Sequence, residues 1–97
     1  MPEGTVIVTG ASKGIGAAIA LDLAGRGYRP ACVSRSGAAP AGTGYACDMT
    51  DEEAVRETFA RIAAEGPLVG LVNNASVHLG GAAAALATAE FEKVMAL

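Results

Sequence analysis

Residues 9–16 read TGASKGIG, directly after the apolar run TVIV at 5–8 and directly before an alanine-rich stretch. The β-branched run has the composition of a buried strand. From Gly14 to Arg26 the pattern changes to a helical one, with Ile15, Ile19 and Leu23 recurring every four residues beside Ala18, until Gly25 and Gly27 end it. A strand that turns sharply into a helix leaves the first helical amides without partners. Those donors and the helix dipole form an anion site that needs no cationic side chain. Gly10 lets the chain leave the strand in a conformation costly to other residues. Gly14 removes a Cβ where a diphosphate approaches the backbone, and Gly16 lets the helix pack close to the sheet. Ser12 offers a hydrogen bond to a ribose or phosphate oxygen, and Lys13 adds a charge near the adenosine end.

The rest of the chain repeats this alternation. PACVS at 30–34 reads as a second strand, with Pro30 acceptable at its first position, and GYAC at 44–47 as a third. Between them lies the glycine- and proline-rich RSGAAPAGTG. Parallel neighbours usually need a crossover of about a dozen residues, so residues 36–44 must run as a tight extended loop across the sheet edge. TDEE at 50–53 predicts a capping box, Thr50 serving an early amide and Glu53 reaching back. A helix over 51–65 then presents Val55, Phe59 and Ile62 with Ala63 beside them, and Gly66-Pro67 stops it. LVGLV at 68–72 is a fourth strand, leading into NNAS. Gly80-Gly81 and the alanines that follow read as a loose connector, with Thr88 capping a last helix that carries Phe91, Val94 and Met95. The order predicts an α/β fold with a mostly parallel sheet.

Composition narrows the partners. The 97 residues make one domain or part of one. Seven basic and ten acidic residues leave a net charge of -3 with no basic cluster, which argues against a nucleic-acid surface. Mean hydropathy is +0.38. No apolar run reaches the roughly 18 residues of a membrane span, and no basic-then-apolar leader follows Met1, so a cytoplasmic location is expected. Cys32 and Cys47 suit neither a disulfide scaffold nor a metal site, and buried packing is their plain reading. No metal site is expected. His78, the only histidine, lacks partners at usable spacing and reads as a loop or substrate-mouth residue.

A phosphate-loop NTPase would need GxxxxGK[ST], which Gly10 and Lys13 do not supply. The spacing G-x-x-x-G-x-G also differs from the common G-x-G-x-x-G fingerprint, so on its own it supports a dinucleotide site and leaves a ligand-free turn open. At this point the motifs combine. TGASKGIG resembles the TGxxxGxG signature of the short-chain dehydrogenases/reductases. CDMTD at 47–51 resembles that family's Asp-hydrophobic pair, and NNAS at 73–76 its NNAG block. The likeness covers the whole chain, and the subgroup it most resembles is the bacterial 3-oxoacyl-(acyl-carrier-protein) reductases. It implies a Rossmann-like, doubly wound, mostly parallel sheet, of which residues 1–97 would be the N-terminal portion with about four strands.

An NAD-selective site commonly ends its second strand with a carboxylate on the ribose hydroxyls. Here the stretch is VSRSG, with no acid nearby. Arg35 offers a guanidinium for a 2′-phosphate, with Lys13 on the same side of the adenosine, so NADP(H) is the expected cofactor. Asp48 is placed to accept from the adenine amino group, or else serves only its local turn; the resemblance favours adenine. Met49 would add its backbone N–H and an apolar contact. The resemblance further implies that Ile15 belongs to the cofactor contacts, that Asn73 braces the sheet, and that Asn74, Ala75 and Ser76 line the nicotinamide ribose. Ser76 departs from the glycine usual there.

Reducing a carbonyl also requires donors and a proton at the growing oxyanion. Similar enzymes use a serine, a tyrosine and a lysine in a YxxxK pair, assisted by an asparagine. No residue here matches these, so no catalytic residue is assigned. FEKVMAL at 91–97 resembles FxxVxxVNL cut before its asparagine. The chain is therefore expected to be the cofactor-binding N-terminal part of a single domain, cut before its catalytic region. In complete form it would reduce a 3-oxoacyl thioester, free or carrier-bound, as a homo-oligomer. An alcohol or polyol dehydrogenase, or a non-catalytic dinucleotide-binding module, are the alternatives.

Overall fold

Five consecutive residues at Thr5–Thr9 are buried, which is what an apolar β-branched run achieves only when covered on both faces. In a computed structural model, which describes residues 3–74 and 81–95, this run is β1. It is followed by α1 (Gly14–Gly25), β2 (Arg29–Ser34), β3 (Thr43–Ala46), α2 (Glu52–Ala64), β4 (Leu68–Val72) and α3 (Gly81–Met95). The four strands form one parallel sheet in the order β3-β2-β1-β4. The expected α/β, Rossmann-like, doubly wound arrangement is what the chain adopts.

Side-chain alternation along β1 divides the core. Val6 and Val8 join Ala11, Ala20 and Cys32 under α1, with Ile19, Leu23, Tyr28 and Val72 packed around them. Ile7 points the other way and meets Ala31, Val33, Tyr45, Cys47, Met49, Val55, Phe59, Ile62 and Ala87 beneath α2 and α3. Phe59 is fully buried there, and such a side chain contributes about 1.5–3 kcal/mol by leaving water. Cys32 and Cys47 fall in opposite clusters, so the sheet itself separates the two thiols, both of which are free and buried.

The short link between β2 and β3 closes as expected, through residues 35–42. Cys32 Sγ donates to the Ala41 carbonyl at 3.4 Å. A Cβ added at Gly44 would lie 2.0 Å from the Gly37 carbonyl oxygen, and one at Gly42 would lie 2.0 Å from that of Pro30. Gly44 is the register partner of Cys32. The loop thus lies on the sheet face that carries Cys32, where a crossover helix would otherwise sit, and only glycine allows it so close.

Three local expectations change. α1 does not bury Ile15, which is 71% exposed; its buried residues are Gly16 and Ala20, with Ile19 and Leu23 half-buried and Ala18 exposed. Close contact at Gly16 sets the rotation of the helix and turns its smallest residues toward the sheet. The cap of α2 is Asp51, not Thr50: the Asp51 carboxylate accepts from Ala54 N at 3.2 Å. The last helix begins at Gly81, not after Thr88. Alanine is the best helix former, and its run outweighs the single glycine at the start. Ala87 and Glu90 are buried in α3, Leu86 and Phe91 pack against the core, Val94 is half-buried and Met95 is 47% exposed. The buried Glu90 carboxylate pairs with Lys93 Nζ at 3.1 Å.

Candidate functional site: the carboxyl ends of the first and fourth strands

The chain lays down β1, β2 and β3 outward in one direction and then crosses to place β4 on the other side of β1. Such a reversal opens a crevice at the carboxyl ends of β1 and β4, because the connections leave them toward opposite faces. The TGASKGIG turn and the two asparagines both emerge there. Gly10 N donates to the Val33 carbonyl at 2.7 Å, extending the ladder into the turn. Thr9 Oγ1 donates to the Val72 carbonyl at 3.4 Å. Asn74 Nδ2 donates to the Gly10 carbonyl at 3.1 Å, and Asn73 Nδ2 to Thr88 Oγ1 at 3.0 Å. β1, β4 and α3 are thereby tied together beside the turn.

The glycines divide the work. Gly10 has φ +67 and Gly14 φ +66, in the left-handed region. A Cβ at Gly16 would lie 2.2 Å from the Gly10 oxygen and 2.7 Å from Asn74 Nδ2. Gly16 is the point where α1 rests on the turn and on the Asn74 side chain just beyond β4. At Gly14 a Cβ would meet nothing within 4 Å, and Gly14 is exposed. The first bond of the helix runs from Ala17 N to the Lys13 carbonyl at 3.4 Å, and the Lys13 side chain makes no capping bond. The amides of Gly14 and Ile15 precede that bond and have no carbonyl four residues back in the helix. Unpaired amides at the start of a helix are a general acceptor site for anionic oxygens. Ser12 is half-buried beside it, and Lys13 and Ile15 are exposed.

Arg35 is exposed one residue beyond β2. Its turn is built by hydroxyls: Ser34 Oγ accepts from Gly37 N at 3.2 Å and Ser36 Oγ from Ala38 N at 3.2 Å. Cys47 N donates to the Ser34 carbonyl at 2.9 Å, so β2 and β3 end together. Asp48 is exposed and accepts from Thr50 Oγ1 at 2.6 Å and from Thr50 N at 2.9 Å. These bonds hold its carboxyl below the usual range, with a smaller contribution from the positive charge of Arg35. The Met49 side chain is only 4% exposed and belongs to the core beneath α2. Little of that side chain is left open to solvent.

Ala75, Ser76 and His78 lie outside the described residues. The remaining site residues of the sequence reading, namely Gly10, Ser12, Lys13, Gly14, Ile15, Gly16, Arg35, Asp48, Met49 and Asn74, all lie at or just beyond the carboxyl ends of β1–β4. The sequence reading missed the roles of Thr9, Ser34, Ser36 and Thr50 as bracing groups. The hydroxyl-rich VSRSG and the Asp-x-Thr spacing were the available signals. Tyr45 points away from this end: its hydroxyl donates to Glu65 Oε1 and the Arg61 guanidinium lies 5.2 Å from its ring centroid. Among the described residues no His/Cys/Asp/Glu cluster could hold a metal ion, and no helix is long and apolar enough to cross a membrane.

A parallel sheet with this reversal and a glycine turn opening α1 define a dinucleotide-binding α/β fold. Residues 4–97 match the family described as short chain dehydrogenase, and the chain belongs to that family. It is 39% identical over 93 residues to the 3-oxoacyl-[acyl-carrier-protein] reductase MabA of Mycobacterium tuberculosis H37Rv, covering 94% of this chain and 38% of that protein. It is 35% identical over 104 residues to D-threitol dehydrogenase of Mycolicibacterium smegmatis, covering 94% of this chain and 40% of that one. Among solved structures, the citronellol catabolism dehydrogenase AtuB of Pseudomonas aeruginosa PAO1 superposes with a TM-score of 0.76 at 28% identity, over 92% of this chain and 49% of that one. The chain thus spans about two fifths of the length of these two curated relatives.

Proposed function

We propose that this chain is the NADP(H)-binding part of a short-chain reductase whose complete form reduces a carbonyl, with 3-oxoacyl thioesters as the substrate class. The observation that carries the reading is the open mouth at Gly14, where φ is +66 and a Cβ would meet nothing within 4 Å, at the amino end of α1. The amides of Gly14 and Ile15 receive the linking diphosphate, and Ser12 adds a hydroxyl beside it. Arg35 and Lys13 hold the 2′-phosphate, since VSRSG places no carboxylate where a free ribose would need one. Asp48 accepts from the adenine amino group, and the Met49 backbone borders the ring. The segment from Asn74 through Ala75 to Ser76 borders the nicotinamide ribose. When bound, the dihydronicotinamide supplies a hydride. Fluorescence titration with NADPH and NADH tests the cofactor: NADPH binds at least about tenfold more tightly, and Arg35→Ala removes most of that difference. Equal dissociation constants in the unaltered protein would contradict it.

The thioester substrate is supported by the likeness to MabA, a 3-oxoacyl-[acyl-carrier-protein] reductase by name. The likeness to a D-threitol dehydrogenase favours a polyol as the second reading. Assay of the complete protein against 3-oxoacyl thioesters and against polyols separates the two. A complete form of the short-chain family is further proposed to be a cytoplasmic homo-oligomer, which size-exclusion chromatography of that form checks.

A further inference from the structure

We propose that Thr50 is a positioning residue for the bound nucleotide, locking the Asp48 carboxylate so that Oδ2 meets the amino group of the adenine. This rests on the cofactor reading above. Two donors from one residue, the Thr50 hydroxyl at 2.6 Å and its amide at 2.9 Å, converge on the same oxygen, Oδ1. Among the described residues no hydrogen bond reaches Oδ2. An exposed aspartate otherwise samples several rotamers, and a ligand must then immobilise it on binding.

The usual structural duties at this position are already filled by other groups. The amino end of α2 is capped by the Asp51 carboxylate, which accepts from Ala54 N at 3.2 Å. The turn itself is closed by backbone, Asp51 N donating to the Asp48 carbonyl at 3.0 Å. Thr50 is exposed, and its hydroxyl has Asp48 as its partner. What its hydroxyl adds is the orientation of one carboxylate, one residue past the point where Cys47 N joins β3 to the Ser34 carbonyl of β2 at 2.9 Å. That is the level of the sheet at which Arg35 also stands. A carboxylate held there by one oxygen presents the other outward as a fixed acceptor.

The test compares NADP+ with its hypoxanthine analogue, nicotinamide hypoxanthine dinucleotide phosphate, which lacks the amino group. Dissociation constants are measured by calorimetry for the unaltered protein and for Thr50→Val, Thr50→Ser and Asp48→Asn. The unaltered protein prefers the adenine form about tenfold, Thr50→Val cuts that preference to about twofold, and Thr50→Ser restores it. Melting temperatures of the free proteins stay within about two degrees of one another, which a purely structural Thr50 would not allow. If Asp48→Asn abolishes the preference while Thr50→Val leaves it intact, the inference about Thr50 fails and the assignment of Asp48 stands. If the unaltered protein does not distinguish the two dinucleotides, or Asp48→Asn keeps the preference, the adenine contact fails and the Thr50 proposal with it. Equal weakening of both ligands by Thr50→Val also overturns it.

Discussion

Asn74 Nδ2 lies 3.1 Å from the Gly10 carbonyl oxygen, joining residues 64 positions apart across the two strands where the sheet reverses. This amide and this carbonyl together form the wall against which Gly16 is pressed. Asn74→Ala leaves the half-buried Gly10 carbonyl without this donor, and a loss of about 1–2 kcal/mol is expected. Urea denaturation of the two proteins measures it. A neutral result would mean that the bond does not hold the turn to β4.

Gly16→Ala is expected to be more damaging. Its Cβ would lie 2.2 Å from a backbone oxygen, which cannot swing aside as a flexible side chain would. Overpacking of this kind costs about 3 kcal/mol, and the loss should appear in the denaturation midpoint of the ligand-free protein.

Gly14→Ala separates ligand binding from folding. The new methyl meets nothing in the protein within 4 Å, so the stability cost is confined to the left-handed backbone at φ +66, about 1 kcal/mol. The methyl would stand where the diphosphate is proposed to approach, and dinucleotide affinity should fall by at least about tenfold. Calorimetry with NADP+ beside a urea curve distinguishes the two effects.

Stability should decline in alkali. Burial pushes the Cys32 and Cys47 thiols above the ordinary 9.0. Burial also raises the Tyr45 phenol above 10.0, with the Glu65 hydrogen bond adding to it. Each group keeps its proton in the folded chain at a pH where the unfolded chain has lost it. The unfolded state then binds fewer protons, and unfolding free energy falls as pH rises. The contribution is fully present below pH 9 and is lost progressively above it. Tyr45→Phe should flatten the part of the decline above pH 10, read from melting temperatures between pH 8 and 11.

Much of the fold was legible because its signals are local. TVIV and LVGLV are short apolar runs bounded by turns, and Val55, Phe59 and Ile62 repeat at helical spacing. The misreadings arose where two local signals competed. Thr50 and Asp51 are both good caps, and only tertiary geometry chose the second. Gly80-Gly81 looked like a break, but the alanines after it extend the helix from Gly81. The exposure of Ile15 followed from contact at Gly16, which periodicity cannot register. In the site, Gly10 and Gly14 were readable because positive φ leaves few other residues possible. The bonds from Asn74 to Gly10 and from Asn73 to Thr88 join distant segments and leave no spacing pattern. The Asp48–Thr50 pair was hidden by the capping role assigned to its threonine.

The central claim is that the amides opening α1 grip the diphosphate of a dinucleotide. Its most direct measurement is the ¹⁵N–¹H spectrum of the protein titrated with NADP+. Saturable shifts concentrated at Gly10, Gly14, Ile15 and Gly16, with further shifts at Arg35, Asp48 and Asn74, are the expected result. Saturable binding that leaves the Gly14 and Ile15 amides unmoved, or no binding at millimolar dinucleotide, would contradict the account.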